Sequence, residues 1–151
     1  MIRDDIKAAL IKSMKAREEA RTSAIRLIQA AVKNRDIELR GSDAPADDDQ
    51  LLIDVLQKMA KQRRESIEMY ISGGRNELAD AERAELAVIE EFLPKQMDED
   101  EARALVAAAI AEAGAASPKD MGRVMPLLKE KLAGRFDMAR ASALVKEALA
   151  S

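Results

Sequence analysis

Apolar residues recur every three to four positions along almost the whole chain. Ile2, Ile6, Leu10 and Met14 step by four, and Ile25, Ile28, Val32 and Leu39 continue with the drift of a 3.6-residue helix. Between them KAREEARTSA, residues 15–24, interrupts the pattern. Thr22 or Ser23 is a candidate cap for a fresh start, so the helical region of about 2–40 is expected to bend or break there. Gly41 ends it, and GSDAPADDD with Pro45 is expected as a polar loop. Asp47 to Asp49 then place negative charge at a helix N-terminus, where the helix dipole favours it. The helix they open carries Leu52, Val55, Leu56, Met59, Ile67, Tyr70 and Ile71, and Gly73–Gly74 is a left-handed stop signal. Another begins near Asn76, with Leu78, Leu86, Ile89 and Phe92 on one face, and Pro94 ends it.

FLPKQMDEDEA marks the expected boundary between two helical domains, 1–93 and 95–151. Asp98 with Glu101 has the spacing of a capping box, in which each side chain accepts from the other residue's backbone N–H. The helix of roughly 99–113 shows Leu105, Val106, Ala109 and Ile110 on its apolar face, and Gly114 closes it. Ser117–Pro118–Lys119–Asp120 is a second start signal, with serine as cap and proline in the first turn. Met121, Val124, Met125, Leu128 and Leu132 form the next stripe. Pro126 crowds the carbonyl of Gly122 four residues back, so a kink or short break is expected near Met125–Pro126. Gly134 suits a turn, and Asp137 is placed to cap a last helix holding Ala141, Leu144, Val145 and Leu149.

Composition agrees with an all-α fold: an N-terminal helical domain plus a small C-terminal three-helix domain. The 151 residues include no Trp, one Tyr and two Phe, and they are rich in Ala, Leu, Glu, Lys and Arg. There is no Cys and no His. That removes disulfides, thiol chemistry, the usual zinc ligand sets and the commonest general acid–base side chain. No Ser-x-x-Lys, glycine-rich phosphate loop or calcium-loop spacing occurs, so the expectation is no catalysis by this chain alone, no cofactor and no metal. No apolar run approaches the ~20 residues of a membrane span. MIRDDIKAAL carries acids where a signal peptide has an apolar core, so a cytoplasmic protein is expected.

Charge adds the one positive signal. The whole chain has 25 Lys and Arg against 28 Asp and Glu, a net −3. Within 119–146, however, Lys119, Arg123, Lys129, Lys131, Arg135, Arg140 and Lys146 face only Asp120, Glu130 and Asp137, and seven minus three leaves +4. On a straight helix Lys119, Arg123 and Lys131 fall within about a third of the circumference. Lys119, Arg123, Lys129, Lys131, Arg135 and Lys146 are therefore the candidate nucleic-acid-binding residues, with Pro94, Gly122 and Gly134 as structural positions. Gly122 is expected to allow a close approach of helices or of an RNA backbone. A second basic cluster, KMAKQRRES at 58–66, is offset by nearby glutamates.

IRLIQAAVKNRDIE (25–38), KQRRESIEMY (61–70), GGRNELADAERAELAVIEEFLPKQM (73–97) and KDMGRVM…GRFD (119–137) resemble the GatB/YqeY family over nearly the whole chain. The resemblance implies that residues 95–151 are similar to the tail domain of the B subunit of the tRNA-dependent amidotransferase, a helical module that meets the tRNA body. Phe136 stands where members often have Ala, and Pro126 where they usually keep a helix former. The function implied is a non-catalytic tRNA-associated module linked to tRNA charging or tRNA-dependent amidation. One alternative is an adaptor that grips a synthetase or amidotransferase subunit. Another is a component of an amido-transfer enzyme, a carbon–nitrogen ligase with glutamine as amido donor.

Overall fold

The computed structural model describes residues 1–41 and 47–150. Among them are seven α-helices and one short 3-10 turn, with no strand: α1 (Ile2–Lys15), α2 (Glu19–Glu38), α3 (Asp48–Ser72), α4 (Asn76–Glu91), α5 (Glu99–Ala113), the turn Pro118–Asp120, α6 (Met121–Leu132) and α7 (Met138–Ala150). The fold is all-α, as the periodicity predicts. The chain divides into two compact units, residues 1–94 and 95–151. Leu93 is the last core residue of the first unit, and Met97 is the first of the second.

In the first unit Ile25, Ile28, Leu52, Leu56 and Ile89 are sealed from solvent, with Ile6, Val32 and Val55 around them. Each such side chain contributes about 1.5–3 kcal/mol relative to an exposed one. The expected interruption of the first helical region is present at residues 16–18, but neither Thr22 nor Ser23 caps the new start. Glu18 holds the N-cap position, and Thr22 is drawn inside, its hydroxyl 2.8 Å from that of Ser13. Ser13, not Met14, is the buried residue on that part of α1; Met14 is 51% exposed. One turn along the stripe from Ile6 and Leu10 falls between positions 13 and 14, and the helix turns the serine inward. Likewise Leu78 is exposed and Ala79 takes the buried place. The loop proline, Pro45, lies outside the described residues.

Three helix ends share one geometry. After α3 the N–H of Arg75 reaches the carbonyl of Tyr70 and that of Gly74 reaches Ile71, with Gly74 at φ +70°. After α5 Ala115 bonds Ile110 and Gly114 bonds Ala111, with Gly114 at φ +63°. After α1 Glu18 bonds Ser13 and Arg17 bonds Met14, but the left-handed residue is Arg17, at φ +57°. Glycine occupies this place without steric cost, whereas a side chain there costs roughly 1–2 kcal/mol.

The second unit is a three-helix cluster of α5, α6 and α7. Its seams are lined by small residues: Ala102, Ala109 and Ala141 have no exposed surface. Val124, Leu128, Leu132, Leu144 and Val145 fill the centre. The predicted capping box of Asp98 with Glu101 forms, and at the second start Asp120 accepts from the N–H of Ser117 at 3.3 Å. Asp137 accepts from the N–H of Ala139 at the start of α7. The expected break at Met125–Pro126 does not occur: α6 runs through Pro126. Val124 lies before the proline and Leu128 and Leu132 after it, all fully buried, so packing keeps the helix going across the missing hydrogen bond. Gly122 is also not a point of close approach between helices, since a Cβ built there would meet no atom of the protein within 4 Å. Gly134 does make the expected turn, at φ +71°. Its carbonyl accepts from Gln96 Nε2 at 2.8 Å, and the next carbonyl, of Arg135, accepts from the N–H of Met97 at 2.9 Å.

Candidate nucleic-acid interface

The basic segment sits on the 3-10 turn, α6 and α7, and its cations meet different fates. Arg123 lies over the start of α6 and donates to Asp120 Oδ1 at 2.7 Å. The Asp120 carboxyl is held below its usual range, first by the N–H of Ala116 and then by Arg123. Lys131 reaches across to Glu112 on α5, 2.9 Å away. Arg135 turns back to donate from Nε to the carbonyl of Lys95 at 3.1 Å. Arg140 pairs with Glu99, which also takes Arg103, and the Glu99 carboxyl is lowered chiefly by Arg140. Lys131 and Arg140 thus tie α6 and α7 to α5, while Arg123 pairs locally and Arg135 holds the segment that leads into α5.

Lys119, Lys129 and Lys146 are different. All three are exposed, and among the described residues none has a carboxylate within ion-pair distance. They stand on the 3-10 turn, α6 and α7 respectively, with Glu130 beside Lys129. The structure does not gather the six predicted residues into one patch of free charge. It leaves three lysines spread over the unit and commits Arg123, Lys131 and Arg135 to internal bonds. Over residues 95–151 the charges balance, nine Lys and Arg against nine Asp and Glu, once the acids of the α5 start are counted.

Cations to which the sequence pattern gives no prominence lie in the first unit. α1 and α2 are joined at one end by the Ser13–Thr22 contact and at the other by Arg3, which pairs with Asp36 at 3.1 Å and Asp48 at 2.9 Å. These bonds push the Arg3 pKa up and hold Asp48 below its usual range, the Arg3 hydrogen bond being the main cause for Asp48. The groove between the helices has two hollows. One, of about 160 Å³, is lined by Arg3, Lys7, Gln29, Lys33 and Asp36 over an apolar floor. The other, of about 500 Å³, is lined by Met14, Arg17, Glu19, Thr22, Ser23 and Arg26. No run of basic residues announces this groove. Only the i, i+3, i+4 spacing of Lys33, Gln29 and Arg26 with an antiparallel neighbour would have revealed it.

The described residues bring together no three side chains able to hold a metal ion, and no described helix is long and apolar enough to cross a membrane. Two compact helical units, the first with a groove lined by cations, define a small all-α module. The chain belongs to the Yqey-like protein family, which matches it over residues 3–149. It is similar to altered inheritance of mitochondria protein 41, mitochondrial, of Saccharomyces cerevisiae, with 33% identity over 88 residues, covering 58% of this chain and 46% of the relative. The protein of the same name from Lachancea thermotolerans is 32% identical over 89 residues, 59% of this chain and 46% of the relative. That from Eremothecium gossypii is 34% identical over 88 residues, 58% and 46%. The aligned part spans about half the length of these curated relatives. The names of these relatives overturn the cytoplasmic expectation, because they are mitochondrial proteins.

Proposed function

We propose that the protein is a non-catalytic, RNA-associated helical module that binds tRNA in the setting of tRNA charging or tRNA-dependent amidation. The observation that carries this reading is the unpaired, exposed set Lys119, Lys129 and Lys146 in a unit whose other cations are mostly engaged. Side chains that hold no internal partner add positive charge to the surface at no cost in broken ion pairs. Phosphates are the ligand such scattered lysines suit, because affinity comes from counterion release rather than from a shaped pocket. The resemblance of residues 95–151 to an amidotransferase tail supports the choice of tRNA. A filter-binding titration of the full chain with unfractionated tRNA tests it. Binding should weaken with salt, and Lys119→Gln/Lys129→Gln/Lys146→Gln should lower the log–log salt slope by roughly 2–3. A wild-type chain that leaves tRNA unbound at about 50 mM salt, where phosphate contacts are strongest, ends the proposal.

A second reading has its own observation. Met69, Ile71 and Leu78 are exposed around the α3–α4 turn, Met69 by 75%. An apolar tip on a two-helix arm suits an adaptor that grips a synthetase or amidotransferase subunit. Retention of such a subunit by the full chain after nuclease treatment, lost with Met69→Ser/Leu78→Ser, would favour it.

A further inference from the structure

We propose that the groove between α1 and α2 of the first unit is a binding site for the phosphate backbone of an RNA strand. The inference rests on the RNA reading above and places a site where neither the family match nor the basic segment of the second unit does.

Four observations carry it. First, the two hollows lie on one side of the helix pair. On α2 Thr22, Arg26, Gln29, Lys33 and Asp36 alternate steps of four and three, and on α1 Arg3, Lys7 and Met14 keep the same kind of step, so each set forms one stripe. Second, Lys7, Arg17, Arg26 and Lys33 have no carboxylate within ion-pair distance among the described residues, although the unit as a whole is acidic. The acids in the hollows are Asp36, which is occupied by Arg3, and Glu19. Third, Arg17 keeps a left-handed backbone at a helix end where the corresponding ends of α3 and α5 use glycine. Strained positions of this kind tend to persist where the side chain has a task. Fourth, Lys33 and Arg26 are seven residues apart on one helix, about 10 Å at 1.5 Å per residue. A pair of cations at each end of that interval fits two anionic groups on one extended chain.

The shape selects among polyanions. The cations line two hollows recessed between the helices, with Lys7 and Lys33 over one and Arg17 and Arg26 over the other. A phosphodiester strand can dip a phosphate into each. A flat bilayer surface meets only their rims. The guanidinium groups of Arg17 and Arg26 can each take two phosphate oxygens, while Lys7 and Lys33 act as point charges.

The test uses the full chain and three probes: unfractionated tRNA, poly-L-glutamate, and vesicles of phosphatidylcholine with one third phosphatidylserine. Lys7→Gln/Lys33→Gln and Arg17→Gly/Arg26→Gln are each expected to weaken tRNA binding about tenfold near 0.1 M salt and to lower the salt slope by roughly 1.5–2. Arg17→Gly is the decisive single change. It relieves the backbone, so the melting temperature should hold or rise while tRNA binding falls; a role in folding alone would leave binding unchanged. If the Lys119/Lys129/Lys146 variant abolishes binding and both groove variants bind like wild type, the groove proposal is overturned and the reading of the second unit survives. Loss confined to the groove variants supports the groove and removes the second unit from the contact. Equal binding of poly-glutamate, or vesicle binding that the groove variants abolish without affecting tRNA, also overturns the groove proposal. No tRNA binding by the wild type removes both.

Discussion

The two units put their charges to opposite uses. In residues 95–151 the sequence concentrates basic residues, yet Arg123, Lys131, Arg135 and Arg140 hold Asp120, Glu112, the Lys95 carbonyl and Glu99, and the unit is neutral overall. In residues 1–94 acids outnumber bases by 19 to 16, yet Lys7, Arg17, Arg26 and Lys33 stay without an ion pair along one groove, among the described residues. A run of basic residues counts charge along the chain; a partner responds to charge left over after folding. Short-range pairing absorbs the first kind, because helix neighbours three and four apart and facing helices supply carboxylates. The second kind survives where two helices turn more cations than acids to the same side, as with Asp36 and Glu19 against Arg3, Lys7, Arg17, Arg26 and Lys33.

The units also differ in core. The first relies on large side chains such as Ile28 and Leu56, and the second packs Ala102, Ala109 and Ala141 against Leu128 and Leu132. If they fold as separate bodies, Ile28→Ala and Leu128→Ala should each cost about 2–5 kcal/mol, each in its own unit. Hydrogen exchange resolved by peptide should show α1–α4 amides loosened by the first and α5–α7 amides by the second. Uniform loosening by either change would mean that the two share one cooperative transition.

Much of the fold was legible in advance. The helices follow from apolar period, and the starts at Asp98, Ser117–Asp120 and Asp137 from carboxylates that can reach backbone N–H groups. What could not be read was the tertiary choice between adjacent residues: Ser13 over Met14, Ala79 over Leu78. Periodicity places a face to within one residue, and the neighbouring helix decides which side chain fits. The break at residues 16–18 was legible, but its cap was not, since Thr22 had a partner in Ser13 that only folding supplies. The basic segment was legible as sequence density. Its ion pairs with Glu112 and Glu99 were invisible because those acids lie 19 and 41 residues away.

Pro126 gives the next largest effect, and with the opposite sign. Proline in a helix interior costs about 3 kcal/mol against alanine, and here α6 continues through it with Val124, Leu128 and Leu132 buried on either side. Pro126 itself is exposed, so removing it opens no cavity. Pro126→Ala should stabilise the second unit by about 1–3 kcal/mol in urea titrations followed by circular dichroism and leave the first unit unchanged. A loss of stability would show that the fixed backbone angle of proline is needed in α6.

The Ser13–Thr22 contact joins two helices of the first unit and should respond as a coupled pair. Ser13 is 1% exposed and its hydroxyl lies 2.9 Å from the Leu10 carbonyl as well as 2.8 Å from Thr22. Ser13→Ala strands the Thr22 hydroxyl and should cost about 1–2 kcal/mol. Thr22→Val leaves Ser13 bonded to Leu10 and should cost less. The double variant should cost less than the sum, and an additive cycle would mean that the two hydroxyls contribute independently.

The smallest expected effect is in acid. Glu99 and Asp120 in the second unit, and Asp48 in the first, have carboxyl groups held below their ordinary range. A depressed carboxylate contributes stability that is complete above its unfolded value, near about pH 4, and is lost as pH falls through the lower folded value. With two such groups against one, the second unit should lose more stability between about pH 5 and pH 2. For Glu99 the main cause is Arg140, so Arg140→Gln should flatten that loss. For Asp120 the main cause is the Ala116 N–H, which survives substitution of Arg123, so Arg123→Gln should flatten it less. All three groups sit at the surface, and the difference should shrink in about 1 M salt, where the screening length is about 3 Å. Thermal melts of the wild type and both variants across that pH range check the order. If Arg123→Gln proves the more sensitive, the backbone cap of Asp120 counts for less than its ion pair.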